Sequence, residues 1–159
     1  MPHIHEKIDF TAEALIVHND KILLRMHDKY YLWLGVGGHI ELDEDPIEAV
    51  IREAKEEVGL DIAIFDTVEE VRETPTYREL VPPEFLNRHR VSDTHEHVTM
   101  AWIATSDTDQ ILASETEKSD DIKWFAYEEL DDPSYGIDPR TIWYAKRALE
   151  RVRKQGASI

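Results

Sequence analysis

The chain has 159 residues, with 34 Asp and Glu against 18 Lys and Arg, a formal net charge of -16 at neutral pH, and no cysteine. A surface this acidic repels nucleic-acid backbone and anionic lipid, so a non-specific polyanion binder is disfavoured, whereas a small phosphorylated substrate stays open if a cation bridges the like charges. The lack of cysteine removes disulfides, thiol nucleophiles and thiolate metal sites and makes the reducing cytoplasm the default compartment, and no stretch approaches the ~18 apolar residues of a membrane span.

Ala12, Ala14 and Ile16 alternate with Thr11, Leu15 and Val17, and Ile22 to Arg25 follows a turn at Asn19-Asp20. The chain therefore opens on two short strands joined by a hairpin. Tyr30 to Leu34 is aromatic and apolar and runs into Gly35-Val36-Gly37-Gly38, read as a loop whose glycines permit close approaches. Asp45-Pro46-Ile47-Glu48 then combines an N-cap acid, a proline at the first helical position and a glutamate at N3, and Gly59 supplies the C-terminal stop. This predicts a helix from Pro46 to Val58, with Ile47, Val50, Ile51, Ala54 and Val58 as the stripe that packs on a sheet.

Asp61 to Arg72 and His97 to Thr105 read as strands, separated by Glu73 to Thr94, a polar segment holding Pro75, Pro82 and Pro83. That segment is long for a loop, and long loops in compact domains are often functional, though a solvated insertion is an equal reading. Ile122 to Tyr127 reads as a last strand, and Pro139 to Arg153 as a terminal helix with Ile142, Ala145, Leu149 and Val152 on its inner face. Strands before, between and after two helices predict an α/β sandwich with a mixed sheet. At 42% hydrophobic residues the whole chain, 1–159, is long enough to build one domain with its own core.

On the helix, Glu53, Glu56 and Glu57 are related by i,i+3 and i,i+4 spacing, so their carboxylates share one surface. They also lie in its last turns, where the macrodipole disfavours each anion by ~0.3 to 1 kcal/mol. Arg52 and Lys55 offset only part of this. A hard divalent cation resolves the conflict, because carboxylate oxygens suit Mg²⁺ or Mn²⁺ and such ions also bind substrate phosphates. The bland alternative is a solvated acidic face on an acidic protein.

From Gly38 the chain reads GHIELDEDPIEAVIREAKEEVGL. This fits G-x5-E-x7-R-E-U-x-E-E-x-G-U, with U an apolar residue, through Gly38, Glu44, Arg52, Glu53, Ala54, Glu56, Glu57, Gly59 and Leu60. It resembles the Nudix box of the Nudix hydrolases, and a chance match in a chain of this composition is on the order of 10⁻⁷. Upstream, Trp33-Leu34-Gly35-Val36-Gly37-Gly38 is similar to the family's Trp-x-x-Pro-Gly-Gly entry, with Val36 in place of the proline. Downstream, Glu115-Thr116-Glu117-Lys118 before Ile122-Lys123-Trp124-Phe125 is similar to its last loop and strand.

The resemblance implies a Nudix-type α/β/α sandwich that hydrolyses a diphosphate bond with Mg²⁺ or Mn²⁺. The substrate would be a small nucleoside diphosphate linked to another moiety. It further implies that Glu53, Glu56 and Glu57 hold metal together with the backbone carbonyl of Gly37. The catalytic set is then Arg52, Glu53, Glu56 and Glu117, with Glu53 or Glu117 as general base. Arg52 would orient carboxylates through an ion pair with Glu44 or Glu56, and Glu41 reads as a strand-end surface acid. Many relatives of this kind are dimers, so a homodimer stays open.

His95 and His97 flank Glu96 at strand spacing and project to one side, a geometry that could hold zinc. No third ligand stands at a telling distance, so partly exposed strand histidines are expected instead. Trp33 and the pair Trp143-Tyr144 are expected in the core. Past the box a proline resembles one family subgroup, the ADP-ribose hydrolases, and a tyrosine another, the dinucleoside polyphosphate hydrolases. Here Pro75 and Tyr77 both fall in that neighbourhood, so dinucleotide, ADP-ribose-like and nucleoside triphosphate substrates all remain. A non-catalytic nucleotide-metabolite sensor on the same fold is the alternative, against which the intact glutamates count. An isoprenoid diphosphate isomerase would want a catalytic cysteine.

Overall fold

Asn19 and Asp20 both take positive φ, 45° and 62°, as a tight two-residue hairpin requires and as short polar side chains tolerate. They join β1 (Ile8–His18) to β2 (Lys21–Met26). The computed structural model describes residues 7–66, 70, 72–112 and 121–156. The remaining elements in chain order are β3 (Trp33–Leu34), β4 (Val36–His39), α1 (Pro46–Val58), β5 (Ile62–Ile64), β6 (Glu73–Thr74), β7 (Tyr77–Arg78), β8 (Phe85–Arg90), β9 (Glu96–Ser106), β10 (Ile122–Ala126) and α2 (Pro139–Gly156).

β1 and β9 pair in parallel from Ile8 opposite Glu96 to Val17 opposite Thr105. They form the centre of a sheet in the order β10-β2-β1-β9-β5, with β3 on β2, β4 on β1 and β8 on β9. The other strand pairings of this sheet are antiparallel, which makes it mixed. The alternation of β1 sorts its side chains between two cores. Ala12, Ala14 and Ile16 pack with Ala49, Val50, Ala54 and Val58 of α1. Leu15 and Val17 pack with Tyr144, Ala145, Ala148 and Leu149 of α2. A sheet with one helix on each face is the α/β/α sandwich. No helix among the described residues is long and apolar enough to cross a membrane.

α1 has the bounds its sequence dictates. Asp45 Oδ1 accepts from the N–H groups of Ile47 and Glu48, the Glu48 carboxylate returns the bond to the Asp45 N–H, and Gly59 closes the helix at φ 70°. Its buried face differs from expectation. Ile51 is 42% exposed, while Ala49, Glu53 and Glu57 are buried. The helix is rolled so that two glutamates face the sheet, and this roll turns Ile51 outward.

Three further expectations are corrected. The glycine segment is not a loop: Val36 to His39 is β4, paired to β1 with Gly38 opposite Ala12 and Gly37 opposite Glu13. The strand expected over Asp61–Arg72 is only Ile62–Ile64 among the described residues. The polar segment Glu73–Thr94 is not one long loop either. It holds the small β6–β7 hairpin, whose turn is Pro75-Thr76, and the six-residue β8 paired to β9 from Phe85 opposite Ala101 to Arg90 opposite Glu96. Phe85, Asn87 and His89 are half-buried and Leu86, Arg88 and Arg90 exposed, a period of two carried by residue types with weak strand preference.

Candidate active site

α1 lays its glutamates against β4 at van der Waals range. A methyl group added at Gly38 would stand 2.5 Å from Glu53 Oε1, so only glycine admits the carboxylate there. The Gly37 N–H donates to Glu57 Oε2 at 3.1 Å, and Arg25 of β2 donates to Glu57 Oε1 at 2.6 Å. Glu53 and Glu57 are each 6% exposed. Glu56, one turn on from Arg52, keeps 52% of its side-chain surface.

Arg52 ties the acidic groups together. Its Nε and Nη2 grip Glu44 at 2.9 and 2.7 Å, Nη1 reaches Glu53 at 2.9 Å and Glu56 at 3.0 Å, and Nη2 also donates to the His39 carbonyl at 3.2 Å. Both partners expected for it, Glu44 and Glu56, are present. The guanidinium is held protonated well beyond its ordinary range, first by the Glu44 hydrogen bond, and Glu44 is in turn held below the usual carboxylate range, first by Arg52. The Glu41 backbone N–H donates to Glu44 Oε1 at 2.9 Å, a further hold on the carboxylate that pairs with Arg52.

Two guanidiniums, Arg25 and Arg52, thus meet four carboxylates, Glu44, Glu53, Glu56 and Glu57, and these six groups carry a net charge of -2. The donors are all hard oxygens, and the deficit equals the charge of one divalent ion. Mg²⁺ or Mn²⁺ fits this donor set.

Beside the glycine strand opens a cavity of about 580 Å³, within the size range of small-ligand sites. Arg25, Arg90 and Arg140 line it with His27, Tyr30 and His89, and Asp138 adds a carboxylate. The His27 and Tyr30 rings stack at 4.6 Å. Glu13 also lines the cavity; burial pushes its carboxyl up, while the Gly35 N–H, 2.9 Å from Oε1, and the charge of Arg140 pull it down. Tyr144 accepts a hydrogen bond from Asn87 Nδ2 at 2.9 Å on the cavity wall.

The match to the NUDIX domain family covers residues 10–145. The chain belongs to the NUDIX family. It is a pyrophosphohydrolase of that family, which acts on nucleotide derivatives. This NUDIX chain is 31% identical to the structure of a NUDIX-family hydrolase from Clostridium perfringens, over 91% of this chain and 97% of that one, with a TM-score of 0.79. An Escherichia coli (strain K12) protein described as CTP pyrophosphohydrolase is 29% identical over 101 residues, 58% of this chain and 73% of that protein. In fold alone the chain is also similar to a C. elegans Ap4A hydrolase binary complex, at 18% identity, TM-score 0.60, and coverage of 95% and 99%.

Of the residues singled out in the NUDIX sequence, Arg52, Glu53, Glu56, Glu57 and Gly37 come together, with Glu44 behind them. Glu117 lies outside the described residues. Trp33 is in the core as expected, but Trp143 is exposed and stacks its ring edge on Phe85. Pro75 and Tyr77 sit on the small hairpin, away from the cavity lining. Glu13, Arg25 and Arg90 on strands and Arg140 at the start of α2 were missed, because a lone charged residue gives no local signal until the fold brings it to the cavity.

The two strand histidines need a larger correction. His95 is 7% exposed rather than partly exposed, and a third ligating group does stand beside the pair. Asp9 of β1, 1% exposed, arrives through the parallel pairing of β1 with β9. Ligand atoms of Asp9, His95 and His97 all lie within 4.8 Å of one another. Burial, with His39, His89 and His95 nearby, pushes the His97 imidazole down to about 4, with Asp9 opposing.

Proposed function

We propose that this NUDIX protein hydrolyses a diphosphate bond in a nucleoside diphosphate derivative with Mg²⁺ or Mn²⁺ held by Glu53, Glu56 and Glu57 and the Gly37 carbonyl. The observation that carries the reading is the -2 formal charge of the glutamate–arginine cluster beside a cavity lined by Arg90 and Arg140. When bound, the divalent ion neutralises diphosphate charge and lowers the pKa of an attacking water.

The chain's own residues do the rest. Arg52 fixes Glu53 and Glu56 so that their oxygens face one point, and Arg25 with the Gly37 N–H does the same for Glu57. Arg90 and Arg140 offer positive charge to the phosphates, and the stacked His27–Tyr30 pair offers a ring face to a base. By the family likeness, whichever of Glu53 and Glu117 is not consumed by coordination takes the proton of the attacking water. The compartment we propose is the cytoplasm, on the absence of cysteine.

Nucleoside triphosphates are the first substrates to test, since one relative is described as a CTP pyrophosphohydrolase. The panel is CTP and the other nucleoside triphosphates, ADP-ribose, diadenosine polyphosphates and nucleotide sugars, each with Mg²⁺ and with EDTA. Release of nucleoside monophosphate from one class with Mg²⁺ is the expected result. Binding without turnover across the whole panel would make the protein a sensor instead.

A further inference from the structure

We propose a second metal site, distinct from the glutamate cluster, in which Asp9, His95 and His97 bind a borderline divalent transition ion of the Zn²⁺ type. The inference does not depend on the hydrolase reading. Three observations carry it. The first is the convergence of the Asp9 carboxylate of β1 with the imidazoles of His95, just before β9, and His97 of β9, with ligand atoms within 4.8 Å of each other.

The second is spacing. Zn²⁺ with N and O ligands at 2.0–2.1 Å sets neighbouring ligand atoms of a tetrahedron ~3.3 Å apart. Asp9 Oδ2 stands 3.2 Å from His95 Nε2 and 3.3 Å from His39 Nε2. His39 stands beside the three through Asp9, outside the set whose ligand atoms all converge.

The third is the setting. Asp9 is among the most deeply buried charged groups described, at 1% exposure, and burying an ionised carboxylate is costly unless positive charge accompanies it. A dication held by Asp9, His95 and His97 would supply that charge. His39 and His97 also line the 580 Å³ cavity, which gives an ion a path inward. His89, 5.6 Å from His97, has its own ring fixed by a 2.8 Å bond from Nδ1 to Asn87 Oδ1, as a supporting shell requires. Imidazole donors select Zn²⁺ and its neighbours over Mg²⁺, so the two sites sort two kinds of ion. The ion would clamp the start of β1 to the start of β9.

The test is Zn²⁺ titration of the EDTA-treated, desalted full chain by calorimetry in millimolar Mg²⁺, with Co²⁺ absorption as a spectroscopic second measurement. The expected result is one Zn²⁺ per chain, a Co²⁺ spectrum of tetrahedral intensity, and a Tm raised by Zn²⁺. Asp9→Asn and His97→Asn should each weaken uptake by ~100-fold or more, with folding checked by circular dichroism. Glu56→Gln/Glu57→Gln and His3→Ala/His5→Ala should leave Zn²⁺ uptake unchanged. No uptake, loss to Mg²⁺, loss in the glutamate or His3/His5 variants, or uptake surviving in Asp9→Asn would each overturn the proposal. The Co²⁺ spectrum of the unmodified chain decides the matter if a variant fails to fold.

Discussion

Glu57→Gln is expected to lower kcat by ~10³-fold, the equivalent of about 4 kcal/mol of transition-state stabilisation lost with one charged donor. The reason lies in its position: the carboxylate is buried, gripped by Arg25 and the Gly37 N–H, and contributes one of the four negative charges of the cluster. The amide keeps the shape but not the charge, and its NH₂ must face a donor, so stability should fall by no more than about 1–3 kcal/mol. Glu56→Gln separates the two effects. That side chain is half exposed, so its loss should cut kcat while barely moving the urea midpoint. Steady-state kinetics beside urea unfolding read both quantities. A Glu57→Gln enzyme of undiminished kcat would remove the carboxylate from the chemistry.

Arg52→Ala is expected to cost about 3 kcal/mol of stability, as breaking a largely buried charge network does, and to lower Tm by about 6–12 °C in a domain of this size. It leaves Glu44, Glu53 and Glu56 facing one another with no shared cation. Arg52→Lys should not restore the loss, since one ammonium cannot serve three carboxylates and the His39 carbonyl at once. The pH dependence carries a definite sign. Glu44 titrates below its unfolded value of 4.5 in the folded chain, chiefly through Arg52. The unfolded chain therefore binds the proton first, and the stabilisation is complete above that value and lost as pH falls towards the depressed native one. The wild-type and Arg52→Ala stability curves should draw apart as pH rises towards 4.5 and run parallel above it. Curves already parallel below pH 4.5 would assign the effect of Arg52 to packing alone.

Helix α1 was fully legible because every signal it needs is local: the Asp45–Glu48 box, Pro46, the glycine stop and the apolar spacing. The box residues carried the family with them. What the periodicity misplaced was the roll of that helix. A hydrophobic stripe assumes that apolar side chains define the inner face, whereas Glu53 and Glu57 are drawn inward by Arg25, Arg52 and the bare backbone of Gly37 and Gly38, and Ile51 is displaced to solvent. β8 was read as loop because its inward positions after Phe85 are Asn87 and His89, held by Tyr144 and by each other rather than by apolar packing. The histidine cluster depends on a parallel pairing between strands far apart in the sequence. Nothing near His95 announces Asp9.

The central claim is that the glutamates of α1 hold the divalent ion on which hydrolysis depends. Mn²⁺ uptake, followed by electron paramagnetic resonance with and without a non-hydrolysable nucleotide, tests it most directly on the wild type, on Glu53→Gln/Glu56→Gln/Glu57→Gln and on Asp9→Asn. The account predicts uptake by the wild type and by Asp9→Asn, strengthened by the nucleotide, and its loss in the triple variant. Equal Mn²⁺ uptake by the correctly folded triple variant would contradict it.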